Sequence, residues 1–160
     1  MRRLPSLLIP VFLLTSLLTG CETGSEASIS GPQVPGEDRT VTITMRNLGA
    51  SAWTVTEIEP DADVTTTGVE NPRFVLTEGE RYRIVNDGGS AHPLAIRNAN
   101  GTDLLRQDTR GGSLADQADI DFVADDTGIT FTFTRSLAQE AASYDCTVHA
   151  AMTGSISVAE

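Results

Sequence analysis

Three side chains near the C-terminal end of the sequence can act together on one atom. Cys146, His149 and Met152 fall within seven residues, in Tyr144-Asp145-Cys146-Thr147-Val148-His149-Ala150-Ala151-Met152-Thr153-Gly154. They offer a thiolate, an imidazole and a thioether. A second imidazole, His92, lies far upstream at the start of an apolar alternation. One thiolate, two imidazoles and a weak thioether are the donor set of a trigonal copper site that moves single electrons. Such a site suits neither Cu(I) nor Cu(II) fully and need not rearrange between them. Zinc is the competing ion for a Cys-His₂ set, and a soft thioether in the fourth place favours copper over it.

The inventory sharpens this reading. The chain has two histidines, and both fall at candidate ligand positions. Of its two cysteines, Cys21 has a separate explanation and Cys146 remains. No histidine is left over to serve as a general base. A multicopper oxidase needs many more histidines, and a binuclear copper centre needs a second nearby cysteine. The expected activity is therefore carriage of electrons, not catalysis. The rival readings are a copper-binding or copper-delivery protein with no electron-transfer role and a metal-free adhesive β-sandwich in which Cys146 is an ordinary buried thiol.

The elements that must position these residues read as short strands. Val41, Ile43 and Met45 alternate with polar residues, as do Trp53 and Val55, Phe74 and Leu76, and Tyr82 and Ile84. Period two is the strand signal. His92 shares parity with Leu94 and Ile96, which places it on a strand and on the inward side. Ile120 and Phe122 suggest a weak strand, and Leu104–Arg106 another within a polar stretch over 98–119. Ile129, Phe131 and Phe133 give the cleanest alternation. Ser136 to Ala142 fits one helical turn. Tyr144 and Cys146 share inward parity, and Ile156 and Val158 close the sequence. Seven to nine short strands with turn chemistry between them imply an all-β fold, an antiparallel β-sandwich, over residues 40–160.

The N-terminal part has a different composition. Arg2 and Arg3 precede an uncharged apolar run from Leu4 to Leu18, followed by Thr19-Gly20-Cys21. This is the layout of an export signal. Leu18-Thr19-Gly20-Cys21 resembles the lipobox of bacterial and archaeal lipoproteins, which implies a signal peptide over 1–20 and lipidation of Cys21. An uncleaved membrane anchor is the alternative, and a Cys21–Cys146 disulfide is the alternative use of the thiols in an exported chain. Residues 21–39 are rich in Gly, Ser, Glu and Pro without apolar periodicity. They read as a flexible tether with an end-to-end distance on the order of 20–25 Å. The expected location is outside the cytoplasm, on the periplasmic or cell-surface face of a membrane.

Charge narrows the partners. Eleven basic residues stand against 22 acidic ones, for a net charge of −11. All eleven are arginines. An acidic surface repels phosphate, which argues against nucleic acid. Absence of lysine in an acidic chain is also a composition suited to high salt.

Residues 65–160 resemble the cupredoxins, the family of plastocyanin, azurin and amicyanin. The resemblance rests on Asn71-Pro72 followed by Leu76-Thr77-Glu78-Gly79-Glu80, on a loop-borne His92, and on Tyr144-x-Cys146-x-x-His149-x-x-Met152-x-Gly154-x-Ile156-x-Val158. It implies a Greek-key sandwich, a monomer, one type 1 copper ion held by His92, Cys146, His149 and Met152, and electron exchange with redox proteins. The two-residue gap between His149 and Met152 is similar to the short ligand loop of amicyanin. In relatives the second histidine projects through an apolar patch, for which Pro93, Ala150 and Ala151 are the candidates here. Two positions depart from the family pattern. Pro93 stands where Asn is usual, and Asn there gives a backbone N–H to the thiolate that proline lacks. Val148 stands where proline is common.

Overall fold

The computed structural model describes residues 39–160. The signal-peptide reading of 1–20, lipidation at Cys21 and nearly all of the tether lie outside the described residues. The described chain is mostly β. Ten strands form two five-stranded sheets, with one short helix.

The first sheet has the order β2-β1-β4-β8-β7. β1 (Thr40–Leu48) turns back through Gly49, whose positive φ of 58° suits a tight turn, into β2 (Ala52–Glu59). β4 spans Arg81–Asn86, β7 Val123–Asp125 and β8 Gly128–Thr132. The second sheet has the order β3-β10-β9-β5-β6, from β3 (Phe74–Leu76), β5 (Leu94–Asn98), β6 (Asp103–Arg106), β9 (Ala141–Cys146) and β10 (Thr153–Val158). The helix α1 (Arg135–Glu140) is capped by the Thr134 hydroxyl, which accepts from Leu137 N–H, and it buries Leu137.

The alternation seen in sequence decides which side chains meet between the sheets. Val41, Ile43, Met45, Tyr82, Ile84, Ile129 and Phe131 from the first sheet join Phe74, Leu76, Ile96, Leu105 and Tyr144 from the second in one buried cluster. The arginines of β4 face the other way. Arg83 reaches the Asp125 carboxylate at 3.0 Å and Arg81 the Asp121 carboxylate at 2.8 Å.

The expectation of a purely antiparallel sandwich is corrected. Both sheets are mixed, because β1 and β4 pair in parallel, as do β3 and β10. The chain leaves the first sheet after β2, runs β3 in the second, and returns to lay β4 beside β1. Side chains alternate in the same way in parallel and antiparallel strands, so parity carries no information about neighbour direction. The expected strand at Ile120 and Phe122 is also corrected. Ile120 is buried, but in a turn, with its N–H bonded to Gln117 O. The strand β7 starts at Val123. The short strand expected near Leu104–Arg106 is present as β6.

Candidate metal centre

The four sequence-predicted residues come together at one end of the two sheets. Cys146 is the last residue of β9 and lies opposite Leu94 of β5 in the ladder. It is 2% exposed. The chain then loops over 147–152 and returns: Met152 N–H donates to His149 O at 3.0 Å, and Cys146 N–H to Met152 O at 2.9 Å. These two bonds bring His149 and Met152 back over the sulfur.

His92 comes from a different element than parity implied. It is not on a strand. It ends a 3₁₀ turn (Gly89–Ala91), its N–H bonded to Gly89 O, and β5 begins two residues later. Parity nevertheless gave its direction correctly: His92 is 9% exposed and faces inward. Its backbone is held by a buried amide network. Asn86 Nδ2 donates to His92 O at 2.7 Å and to Gln107 Oε1 at 2.8 Å. Gln107 Oε1 also accepts from Leu94 N–H, and its Nε2 donates to Asp125 O. One further bond, Thr147 N–H to Pro93 O at 2.9 Å, ties the His92 loop to the Cys146 loop.

The side chains converge through the Nδ1 atoms of both rings. Cys146 Sγ lies 3.6 Å from His149 Nδ1 and 3.9 Å from His92 Nδ1. Met152 Sδ is 3.2 Å from His92 Nδ1. The donor atoms of His92, Cys146 and His149 all lie within 4.8 Å of one another. An ion bonded at about 2.0–2.3 Å to nitrogen and sulfur separates neighbouring donors by roughly 3.5–4 Å. The thiolate–imidazole spacings match that, so the residues fit a metal. Burial holds the His92 pKa below the usual imidazole value, and the neighbouring His149 lowers it further. A neutral ring keeps a lone pair for a metal.

Around this cluster stand residues that sequence reasoning missed. Trp53 lies edge-on to His92, with centroids 6.1 Å apart. Asn71 accepts from Trp53 N–H and donates to Ala151 O at 3.0 Å, so it steadies the loop over 147–152. Asn47 contacts His92 Nε2 at 3.3 Å. Asn86 continues the inward parity of Tyr82 and Ile84 at the end of β4, but an amide there reads as the start of a loop, and Gln107 carries no periodic signal.

The patch expected around His149 is partly corrected. Ala150 and Ala151 are exposed beside the half-buried His149, and Val148 is 63% exposed. Pro93 is buried. It leads into β5, whose Leu94, Ala95 and Ile96 are covered on both faces, and its carbonyl is engaged by Thr147. Compared with protein-family models and with curated proteins, the chain matches none.

Proposed function

We propose that this protein is a type 1 copper protein that carries single electrons. The observation that carries the reading is the convergence of Cys146 Sγ, His92 Nδ1 and His149 Nδ1 within bonding span of one ion, with the Met152 thioether beside them. Copper would supply the one-electron Cu(II)/Cu(I) couple. The chain's own residues keep the donors in place: the amide network of Asn86 and Gln107 fixes the His92 loop, and the His149–Met152 and Met152–Cys146 backbone bonds fix the ligand loop. Donors held by both sheets move little on a change of oxidation state, which keeps electron exchange fast.

The resemblance to cupredoxins supports a Greek-key connection of the strands and a partner-facing surface at His149. Ala150, Ala151 and Val148 give that surface small, uncharged side chains in an otherwise acidic protein. The lipobox-like Cys21 supports a lipid-anchored protein outside the cytoplasm, with redox proteins at a membrane as partners.

The test is addition of Cu(II) to the purified protein. An intense visible thiolate-to-copper charge-transfer band that Cys146→Ser abolishes is the expected result. A colourless protein, or colour that survives Cys146→Ser, overturns the proposal. Reversible one-electron voltammetry then separates a carrier from a copper store.

A further inference from the structure

Asn100-Gly101-Thr102 is an Asn-x-Thr triplet, the acceptor pattern for an N-linked glycan. The chain holds no second one: two residues after Asn47, Asn71, Asn86 and Asn98 stand Gly49, Arg73, Gly88 and Asn100. A triplet of this kind also arises by chance, so its place in the fold decides what it can do. It forms the tip of the β5–β6 hairpin. Gly101 N–H donates to Asn98 O at 2.9 Å, and Gly101 takes a φ of 80°, which glycine adopts without strain. Asn98 Oδ1 accepts from Asn100 N–H and Thr102 N–H at 3.0 and 2.9 Å. Below the tip, Arg97 and Asp103 pair at 2.6 Å. The turn is therefore held by Asn98 and by the base of the hairpin, not by the side chains of the triplet. Asn100 and Thr102 are exposed, and among the described residues neither the Asn100 amide nor the Thr102 hydroxyl has a hydrogen-bond partner. A Cβ at Gly101 would meet nothing within 4 Å. The acceptor nitrogen, and the hydroxyl by which a transferring enzyme recognises the triplet, both stand free on a loop tip.

The hairpin also carries its tip away from the candidate metal centre. Leu94, at the start of β5, lies opposite Cys146, and Asn98 ends the strand opposite Ala141. Four residues of strand separate the two levels, about 13 Å. A bulky group on Asn100 leaves the His149 surface open to partners. We propose that Asn100 is a modification site that carries an N-linked oligosaccharide. Asn100 Nδ2 forms a bond to C1 of a sugar delivered on a polyprenyl phosphate or diphosphate. The C1–O bond to phosphate breaks, the amide gives up one proton, and no electron is transferred. Modification there requires an exported chain, so it rests on the export reading and not on copper.

The experiment uses the full chain purified from the cells that make it. Trypsin cuts after Arg97 and Arg106 and releases Asn98–Arg106 with the whole triplet. Mass spectrometry of that peptide should show a series of sugar residues on Asn100. Asn100→Gln and Thr102→Val should each remove the series completely, and Thr102→Ser should retain it. Both positions are exposed, and a thermal melt confirms that each variant folds. An unmodified peptide, one altered only by deamidation at Asn100-Gly101, or sugar that survives Thr102→Val overturns the inference. Protease added to spheroplasts, which digests an exported chain, separates the two failures. An unmodified chain that is digested refutes the glycan alone. An unmodified chain that is protected refutes the export reading, and the glycan with it.

Discussion

Asp145 and Thr153 face each other across the β9–β10 ladder, and the Thr153 hydroxyl donates to Asp145 Oδ1 at 2.8 Å. The pair stands at the two ends of the loop that carries His149 and Met152. Thr153 Oγ1 also reaches Ala150 O at 3.2 Å, and Ser143 donates to the other carboxylate oxygen. Asp145 is 7% exposed although parity points it away from the core. A carboxylate with so little water depends on these donors. Thr153→Val should lower the unfolding free energy by about 1–2 kcal/mol, measured by urea denaturation. Thr153→Ser keeps the hydroxyl and should recover most of the loss. Equal stability of the Val variant and wild type would show that the hydroxyl does not close the loop.

One residue further along the same ladder, Gly154 lies opposite Tyr144. The Tyr144 ring stacks on Phe74 with centroids 4.1 Å apart, and its hydroxyl donates to Pro72 O. The ring thereby covers Gly154, and a Cβ at that position would overlap it. Gly154→Ala should cost about 1–3 kcal/mol of stability through overpacking. Adding Tyr144→Leu, which removes the obstructing ring, should make the alanine nearly neutral in that background. A single Gly154→Ala variant as stable as wild type, by thermal melt, contradicts this packing.

Legibility of the fold from sequence follows the range of each interaction. Val41, Ile43 and Met45, or Ile129 and Phe131, announce an inward face because the signal lies within one strand. The grouping of Cys146, His149 and Met152 was legible because the loop between them is short, and that of His92 because the chain has so few residues of its type. Neighbour direction was not legible, since β1 and β4 would alternate identically in either orientation. Nor was the support of His92. Asn47 and Asn86 reach it from the ends of β1 and β4, and an amide at a strand end reads as the start of a loop even where it keeps the inward parity. The polar stretch over 98–119 acquires a reason in the structure. It holds the edge strand β6, where Arg106 bridges Asp103 and Asp108 at 2.8 and 2.6 Å, and charged edges resist pairing with other chains.

That charged edge makes an acid-stability prediction. Burial alone would raise the Asp103 pKa, but hydrogen bonds from Arg97 and Arg106 outweigh it and hold the carboxyl below its ordinary value. Asp108 is lowered chiefly by Arg106, and Asp125 by the Thr127 hydroxyl. A carboxyl whose folded pKa lies below its unfolded value of about 4 binds fewer protons folded than unfolded. Its stabilisation is complete above about pH 4 and is lost as pH falls through the folded value. Asp103→Asn should therefore lower stability near neutrality by about 1 kcal/mol and flatten the acid limb of a stability–pH curve. If the curve for Asp103→Asn runs parallel to wild type below pH 4, the arginine pairs do not set that limb.

Among the described residues, the partners of Cys146 Sγ are the two imidazole Nδ1 atoms, and no backbone N–H donates to it. Pro93 follows His92 and brings no N–H to the site. With copper bound as proposed, electron density stays on the thiolate, which stabilises Cu(II) and lowers the reduction potential. Pro93→Asn restores a backbone N–H, and Pro93→Ala restores it without a polar side chain. A hydrogen bond to a charged acceptor is worth about 1.5 kcal/mol. That is a tenfold shift in the redox equilibrium, or on the order of 60 mV for one electron. Both variants should raise the potential by that amount in voltammetry. A rise in the Asn variant alone would assign the effect to the side-chain amide, and an unchanged or lower potential in both would remove Pro93 from the tuning of the site.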